Sequence, residues 1–295
     1  MKEIEYDMPL YRPPSEARSL IFQATIGCTH NKCAFCVAYQ GKRFRARPDK
    51  ELFAEIDWAA SHMPRTRRIF LADGDALALS PRRMTRILER LYSSFAKLER
   101  VTCYASPQNL LGKSIEDLKS IHSAGLSMLY FGLESGDDEV LKRIDKGATC
   151  EQMVTACGKA HKAKFDLSIT VILGAAGPKN SERHARATAA ALDRIKPKYA
   201  SALTLMLAPR RPSYQEVFGD PDWRMLDQRE ILVECRVLLD NMHADGITFR
   251  SNHASNYLAL KGDLQKDRRR LLDTIDKVLD DPDSPLLRPE FLRAL

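Results

Sequence analysis

Apolar residues along this chain fall into short runs, and between the runs they recur every three or four positions. Leu20–Thr25, Arg68–Ala72, Arg100–Ala105, Met128–Leu133, Leu167–Leu173, Tyr199–Met206 and Gly246–Arg250 read as strands, being short, apolar and rich in β-branched or aromatic residues. The stretches between them read as helices, several with their start written in local chemistry. Pro48 precedes a helix over Asp49–Ser61, Ser80-Pro81 supplies a cap and a first-turn proline, and Ser114 with Asp117 forms a capping signal. Further helices are expected from Asp137, from Thr149 with Gln152, over Ser181–Ile195, from Asp227 with Glu230 to about His243, and over Asp263–Asp280. About seven alternations of strand and helix, with strands too apolar to face water, imply a parallel sheet covered by helices. That many units suit a barrel or part-barrel better than an open doubly wound sheet. The Pro-rich Leu10–Pro14 is a lead-in, and Asp281–Pro285 separates a short tail.

The loops behind the strands carry more information than the strands themselves. After the first come Cys28, Cys33 and Cys36; after the second, Asp73-Gly74-Asp75; after the third, Ser106 to Asn109. The fourth ends in Glu134-Ser135-Gly136, the fifth in Gly174–Pro178, the sixth in Ala208–Arg211, and the seventh in Ser251–Asn256. Polar and glycine-rich groups thus collect at the carboxyl ends of the strands, where barrel active sites form.

The cysteine spacing is Cys-x4-Cys-x2-Cys, with no fourth cysteine before Cys103. Three thiolates hold three corners of a cubane iron–sulfur cluster and leave one iron open, whereas a two-iron ferredoxin cluster needs a fourth ligand. A structural zinc site also wants four, with His30 as the available candidate. Incidental thiols are the bland alternative, set against the tight spacing in a chain with 7 cysteines. Cys150 and Cys157 share a helix face and fit core packing, as does Cys103 at the end of a buried strand.

Composition narrows the class. The chain has 295 residues, 44% hydrophobic and 29% charged, as expected of a globular protein. The charged start Met1–Asp7 does not resemble a signal peptide, and no run approaches the roughly 20 apolar residues of a membrane span. A cytoplasmic location with reduced thiols and no membrane is therefore expected. The net charge is +7, with a dense patch at Lys42, Arg43, Arg45 and Arg47. Such a patch suits an acidic protein partner or RNA phosphates, and a solvated surface is the alternative. Arg268–Arg270, interspersed with aspartates, reads as a solvated helix face.

Two segments resemble the radical S-adenosylmethionine (SAM) superfamily. One is the cysteine loop with Phe35 before its last cysteine. The other is Phe131–Gly136 followed by Val140–Gly147, which is similar to the fourth-strand motif of the branch containing anaerobic coproporphyrinogen oxidases, methylthiotransferases and Elongator-type enzymes. The cysteine loop is one residue longer than the family's usual spacing, and Asp73-Gly74-Asp75 stands where Gly-Gly-Glu is usual. The resemblance implies an α/β fold, a partial TIM-like (βα)6 barrel of parallel strands with a C-terminal βα extension. It gives a lead-in over 1–17, a core over 18–215 and an extension over 216–295 packed on the core. It implies a 4Fe–4S cluster on Cys28, Cys33 and Cys36, and SAM bound by Phe35, Gly74, Asp75, Glu134, Ser135 and Gly174. Reductive cleavage of SAM to a 5′-deoxyadenosyl radical would then abstract hydrogen from a substrate, with Asn109, Arg210, Asn252, His253 and Asn256 as substrate-site candidates. The expected partners are a small-molecule substrate and an electron donor such as flavodoxin or ferredoxin; nucleic acid is the less favoured partner. The rival reading is a non-catalytic zinc or RNA-binding module built on the same cysteines.

Overall fold

A computed structural model describes residues 3–39, 41–207 and 222–294. The chain forms two compact units interleaved in sequence: Met1–Asn31, Cys36–Phe131 and Thr155–Leu167 in the first, and Lys32–Phe35, Gly132–Val154 and Ser168–Leu295 in the second. The boundary expected near residue 215 falls outside the described residues. Eight strands belong to a mostly parallel sheet, which bears out the α/β reading.

In the first unit the sheet order is β1 (Leu20–Gln23), β4 (Arg68–Ala72), β5 (Arg100–Ala105) and β6 (Leu126–Glu134), all parallel. Register is set by pairs such as Phe22↔Leu71 and Tyr104↔Tyr130. The expected first strand breaks at Ala24. Thr25–Ile26 (β2) pairs instead with Arg45–Ala46 (β3), closing the base of the cysteine loop in a small antiparallel ladder that sequence periodicity did not reveal. Helices α1 (Asp49–His62), α2 (Pro81–Ser94), α3 (Pro107–Gly112) and α4 (Ile115–Ser123), with Thr155–Leu167, complete the unit. Helix α2 buries Met84, Ile87, Leu88 and Leu91, an i, i+3, i+4, i+7 stripe, and Ser80 caps it by accepting from the Arg83 amide. Ser114 and Asp117 form the expected capping box on α4. The loop expected over Ser106–Asn109 opens the short helix α3, capped by the Ser106 hydroxyl. Six residues are too few for helical periodicity to show.

The second unit begins with α5 (Asp138–Arg143) and the start of α6 (Cys150–Lys162). It continues through β7 (Asp166–Leu173), α7 (Ser181–Ile195), β8 (Tyr199–Thr204), α8 (Gln228–Asn241), β9 (Thr248–Arg250), β10 (Lys261–Asp263) and α9 (Leu264–Asp280). Strands β7, β8 and β9 run parallel, and β10 pairs antiparallel with β9. Strand β10 was not foreseen, because Lys261-Gly262-Asp263 carries no apolar alternation. Asp227 and Glu230 form the expected capping box at α8. Among the described residues no helix is long and apolar enough to cross a membrane.

Candidate functional site

The cysteine loop is held by side chains of its own unit. The Gly27 amide donates to Asp73 Oδ2 at 3.1 Å, and the Asn31 amide group donates to the carbonyls of Tyr39 (2.9 Å) and Lys42 (3.2 Å). Asn31 itself sits in the left-handed region at φ 44°, a conformation asparagine tolerates. Cys28, Cys33 and Cys36 are each half-buried, as a ligand must be if it is to be reached and yet shielded. Burial pushes the Cys28 thiol above its usual range, while hydrogen bonds from the Asn31 and His30 amides pull it back. N–H groups aimed at sulfur stabilise a thiolate and a sulfur-bound cluster alike.

The two aspartates after β4 have different surroundings. Asp75 is fully buried, accepts from the Thr29 hydroxyl on one oxygen and from the Asn109 side-chain amide on the other. Thr29, next to Cys28, is therefore brought together with Asp75 and Asn109 in the first unit. Asp73 belongs to the same loop but was not among the expected SAM-binding residues. Its Oδ2 meets Lys42 Nζ at 3.0 Å and the Gly27 amide, but its Oδ1 is buried with no hydrogen-bond partner. Burial raises the Asp73 carboxyl, and the Gly27 amide, Lys42 and the Gln23 side chain oppose that rise. Between them Gly74 lies flush against the Tyr39 ring, where a Cβ would collide. A buried carboxylate oxygen without a donor, beside a bare backbone, fits the ammonium group of an amino acid.

Above β5 the first unit carries further polar groups that sequence reading missed. Tyr104 stands between Phe70 (centroids 5.1 Å apart, edge to face) and Tyr130 (6.2 Å). Its hydroxyl makes no hydrogen bond among the described residues, and Thr102 Oγ1, two positions back on the same strand face, is buried and unpartnered. Tyr130, by contrast, donates to Glu16 at 2.6 Å, and Glu16 also receives Arg100 at 2.7 Å. A tyrosine in a strand is read from sequence as β-propensity, so nothing singled these out.

In the second unit Glu134 ends β6 at φ 62° and accepts from Lys146 Nζ at 2.9 Å. A Cβ at Gly132 would displace the Glu134 carboxylate from its place beside Lys146. The buried Ser135 hydroxyl accepts from the Asp137 amide at 2.9 Å and so shapes the start of α5. Ala34 in the cysteine loop donates its amide to the Ile144 carbonyl (2.8 Å), and Phe35 beside it is half-buried. Gly174 adopts φ 85° and donates its amide to Glu234 Oε1 at 2.8 Å. Glu234, buried on α8, also accepts from Ser181 and lies 3.0 Å from His184 Nδ1. Its carboxylate comes from a helix 60 residues further on, so no local motif announced it.

Other expectations are altered. Asn256 is buried and fully engaged, with Thr204 at 2.9 Å, the Ala202 carbonyl at 2.8 Å and the Ser251 carbonyl at 2.9 Å. His253 Nδ1 lies 3.0 Å from the Ser255 hydroxyl, and Arg288 ties the loop through the carbonyls of His253, Ala254 and Asn256. His253 and Asn256 thus have partners within the turn, and Asn252 alone is exposed. Arg210 lies outside the described residues. The basic patch is half what its sequence promised. Lys42 is buried on Asp73 and on the carbonyls of Asp7 and Pro9, and Arg47 is buried in a two-pronged pair with Glu55. Arg43 and Arg45 remain at the surface. Cys103, Cys157 and Cys235 are buried, and burial raises all three thiols, Cys235 to about 12. Cys150 is half-buried at the start of α6 rather than in the core.

Among the described residues no three His, Cys, Asp or Glu side chains gather around a point that a single metal ion could occupy. The zinc arrangement with His30 thus finds no support, while a cubane takes its three thiolates on three different irons.

A parallel α/β scaffold with thiols and an open carboxylate after its strands defines a class of cofactor enzyme. The superfamily can then be named: the model of the radical SAM superfamily matches residues 22–192, more than half of the chain, which therefore belongs to it. Radical SAM enzymes work with a 4Fe–4S cluster and SAM. The chain is 25% identical over 172 residues to 4′-phospho-dehydrooxetanocin synthase of Priestia megaterium, covering 52% of this chain and 23% of that protein. It is 25% identical over 162 residues to heme chaperone HemW of Bacillus subtilis (strain 168), covering 53% and 41%. The match thus spans less than half the length of either relative. Among solved structures, methylornithine synthase (PylB) superposes with a TM-score of 0.56 at 14% identity, over 91% of this chain and 73% of that one. Coproporphyrinogen III oxidase (HemN) from Escherichia coli does so at 0.56 and 18% identity, over 76% and 52%. These likenesses show a shared fold, the part-barrel of the superfamily.

Proposed function

We propose that Cys28, Cys33 and Cys36 hold a 4Fe–4S cluster by three of its irons, and that the groups around them bind SAM for radical chemistry on a small-molecule substrate. The observation that carries this reading is the unpartnered Asp73 Oδ1, buried beside the cysteine loop it helps to hold. Bound there, the cluster supplies the electron for reductive cleavage of SAM, giving the 5′-deoxyadenosyl radical that abstracts hydrogen from the substrate.

The chain's own residues divide the remaining work. Asp73 takes the amino group of SAM, a role the family resemblance gives to Gly74 and Asp75. Asp75 keeps Thr29, next to Cys28, and Asn109 at fixed positions. Gly74 lets the Tyr39 ring pack directly on the backbone between the two aspartates. Glu134, oriented by Lys146, meets the ribose hydroxyls or the methionine end, and Ser135 holds the turn that presents it. Phe35 and the Gly174 turn offer apolar surface and backbone to the adenine. The free hydroxyl of Tyr104 and that of Thr102 offer hydrogen bonds to substrate within a largely apolar face that keeps water from a radical. Arg43 and Arg45 form a reduced docking patch for an acidic electron donor of the flavodoxin or ferredoxin kind.

The test is anaerobic reconstitution followed by metal analysis and mass spectrometry of SAM products after dithionite reduction. The expected result is about four irons and four sulfides per chain and 5′-deoxyadenosine from the wild type, with neither from Cys33→Ala. Retention of zinc, or 5′-deoxyadenosine formation that survives loss of Cys33, overturns the reading.

A further inference from the structure

The first unit has a second concave feature, at the opposite ends of its strands. An open groove of about 900 Å³ is lined by Arg18, His62, Arg65, Arg67, Arg68 and Glu99, together with the residues joining them. Leu20 and Arg68, the first residues of β1 and β4, form part of it. The cysteine loop lies beyond the far end of β1. Four arginines and one glutamate therefore line a groove away from the proposed chemistry.

The partners of those arginines are the informative point. On the helices, exposed Arg86, Arg90 and Arg183 each hold an aspartate, while exposed Arg82 and Arg229 hold no carboxylate among the described residues. In the groove Arg67 alone is bonded, to Glu99. Arg68 is close enough to help depress the Glu99 carboxyl, behind the larger effect of Arg67, but makes no bond to it. Arg18 and Arg65 carry no carboxylate partner among the described residues. The backbone beneath is fixed. Thr66 closes a turn on the Met63 carbonyl through its amide (3.1 Å) and its hydroxyl (2.8 Å), and the Arg67 carbonyl accepts the Glu99 amide at 2.8 Å. The arginines thus spring from a rigid turn and two strand starts, with an excess of positive charge that nothing in the described chain neutralises.

We infer that this groove is an anion site for a small phosphorylated ligand of nucleotide size carrying two or more phosphates. Guanidinium forks match phosphate oxygens in pairs, which makes clustered arginines the preferred phosphate ligands. The volume falls within the roughly 300–1,000 Å³ of small-molecule sites. A nucleic-acid backbone calls for a longer basic track than one groove supplies, and an electron-donor protein has to reach the cysteine loop at the other strand ends.

The test is isothermal titration of the full chain with sodium tripolyphosphate and with ATP at low salt. The variant is Arg18→Ala/Arg65→Ala/Arg68→Ala, whose exposed positions leave the core intact, with circular dichroism as the check. Tripolyphosphate and ATP are expected to bind the wild type and to weaken about 30-fold or more in the triple variant. Glu99→Gln is expected to tighten both, and Cys33→Ala to change neither, so the result stands apart from the cluster proposal. No binding to the wild type at millimolar ligand, or equal binding by the triple variant, overturns the inference. So does tight binding of a 20-nucleotide RNA that tripolyphosphate fails to displace.

Discussion

The polar residues on and after β4 and β5 and those after β9 look alike as sequence, but their polar atoms are used differently. In the first region Asp73 Oδ1 and Thr102 Oγ1 are buried without partners, and the Tyr104 hydroxyl is free. In the second, Asn256 uses both ends of its amide, Ser255 serves the Thr204 amide, and Arg288 and Arg293 take up the loop's carbonyls. Both regions order the chain. The first keeps a carboxylate oxygen and hydroxyls in reserve, which a ligand bearing an ammonium group needs, whereas among the described residues the second leaves unpartnered only the buried donor nitrogens Arg250 Nε and Arg293 Nη2.

The largest expected effect comes from closing the reserve. Asp73→Asn is expected to weaken SAM binding on the order of 100-fold by equilibrium dialysis, since a charged acceptor for an ammonium is lost. Unchanged affinity would remove the ground for contrasting the two regions. Next, Asn256→Ala strips three buried hydrogen bonds and is expected to cost about 2–4 kcal/mol in urea denaturation while leaving SAM affinity unaltered. Lost affinity at full stability would move the second region into the site.

The two tyrosines facing each other on β5 and β6 sharpen the comparison further. Tyr130→Phe takes a donor from buried Glu16 and is expected to cost about 1–3 kcal/mol, whereas Tyr104→Phe breaks no bond and is expected to stay within about 0.5 kcal/mol. The smallest effect is acid sensitivity at His253. Burial and then Arg288 hold its imidazole below the ordinary 6.5, so the folded state favours the neutral ring. Its contribution to stability is full above pH 6.5 and declines as pH falls from there toward the folded value, where the unfolded chain alone takes a proton. His253→Gln is expected to flatten that part of a pH–stability curve; an unchanged curve would mean the loop does not sense the ring.

Strand and cap chemistry were legible because they are local. Arg68–Ala72 and Arg100–Ala105 fall where their apolar runs place them, and the caps at Ser80, Ser114 and Asp227 form as their spacing indicates. The three cysteines stood out for the same reason. The features that escaped depend on partners distant in sequence. Asp73 and Asp75 differ only in which neighbours fold onto them, and Asn256 resembles a ligand until Thr204 is seen beside it. Lys42 and Arg47 were read as surface charge because Asp73 and Glu55, their buried partners, cannot be assigned from spacing.

The deep burial of Cys103, Cys157 and Cys235 has a consequence for assembly. A thiol that cannot shed its proton is a poor nucleophile and a poor metal ligand. When iron and sulfide are offered to the folded chain, these three sulfurs are silent competitors, and the loop thiols meet the incoming metal with only Cys150 as a rival. The interior thus acts as a chemical mask that steers metal toward one loop.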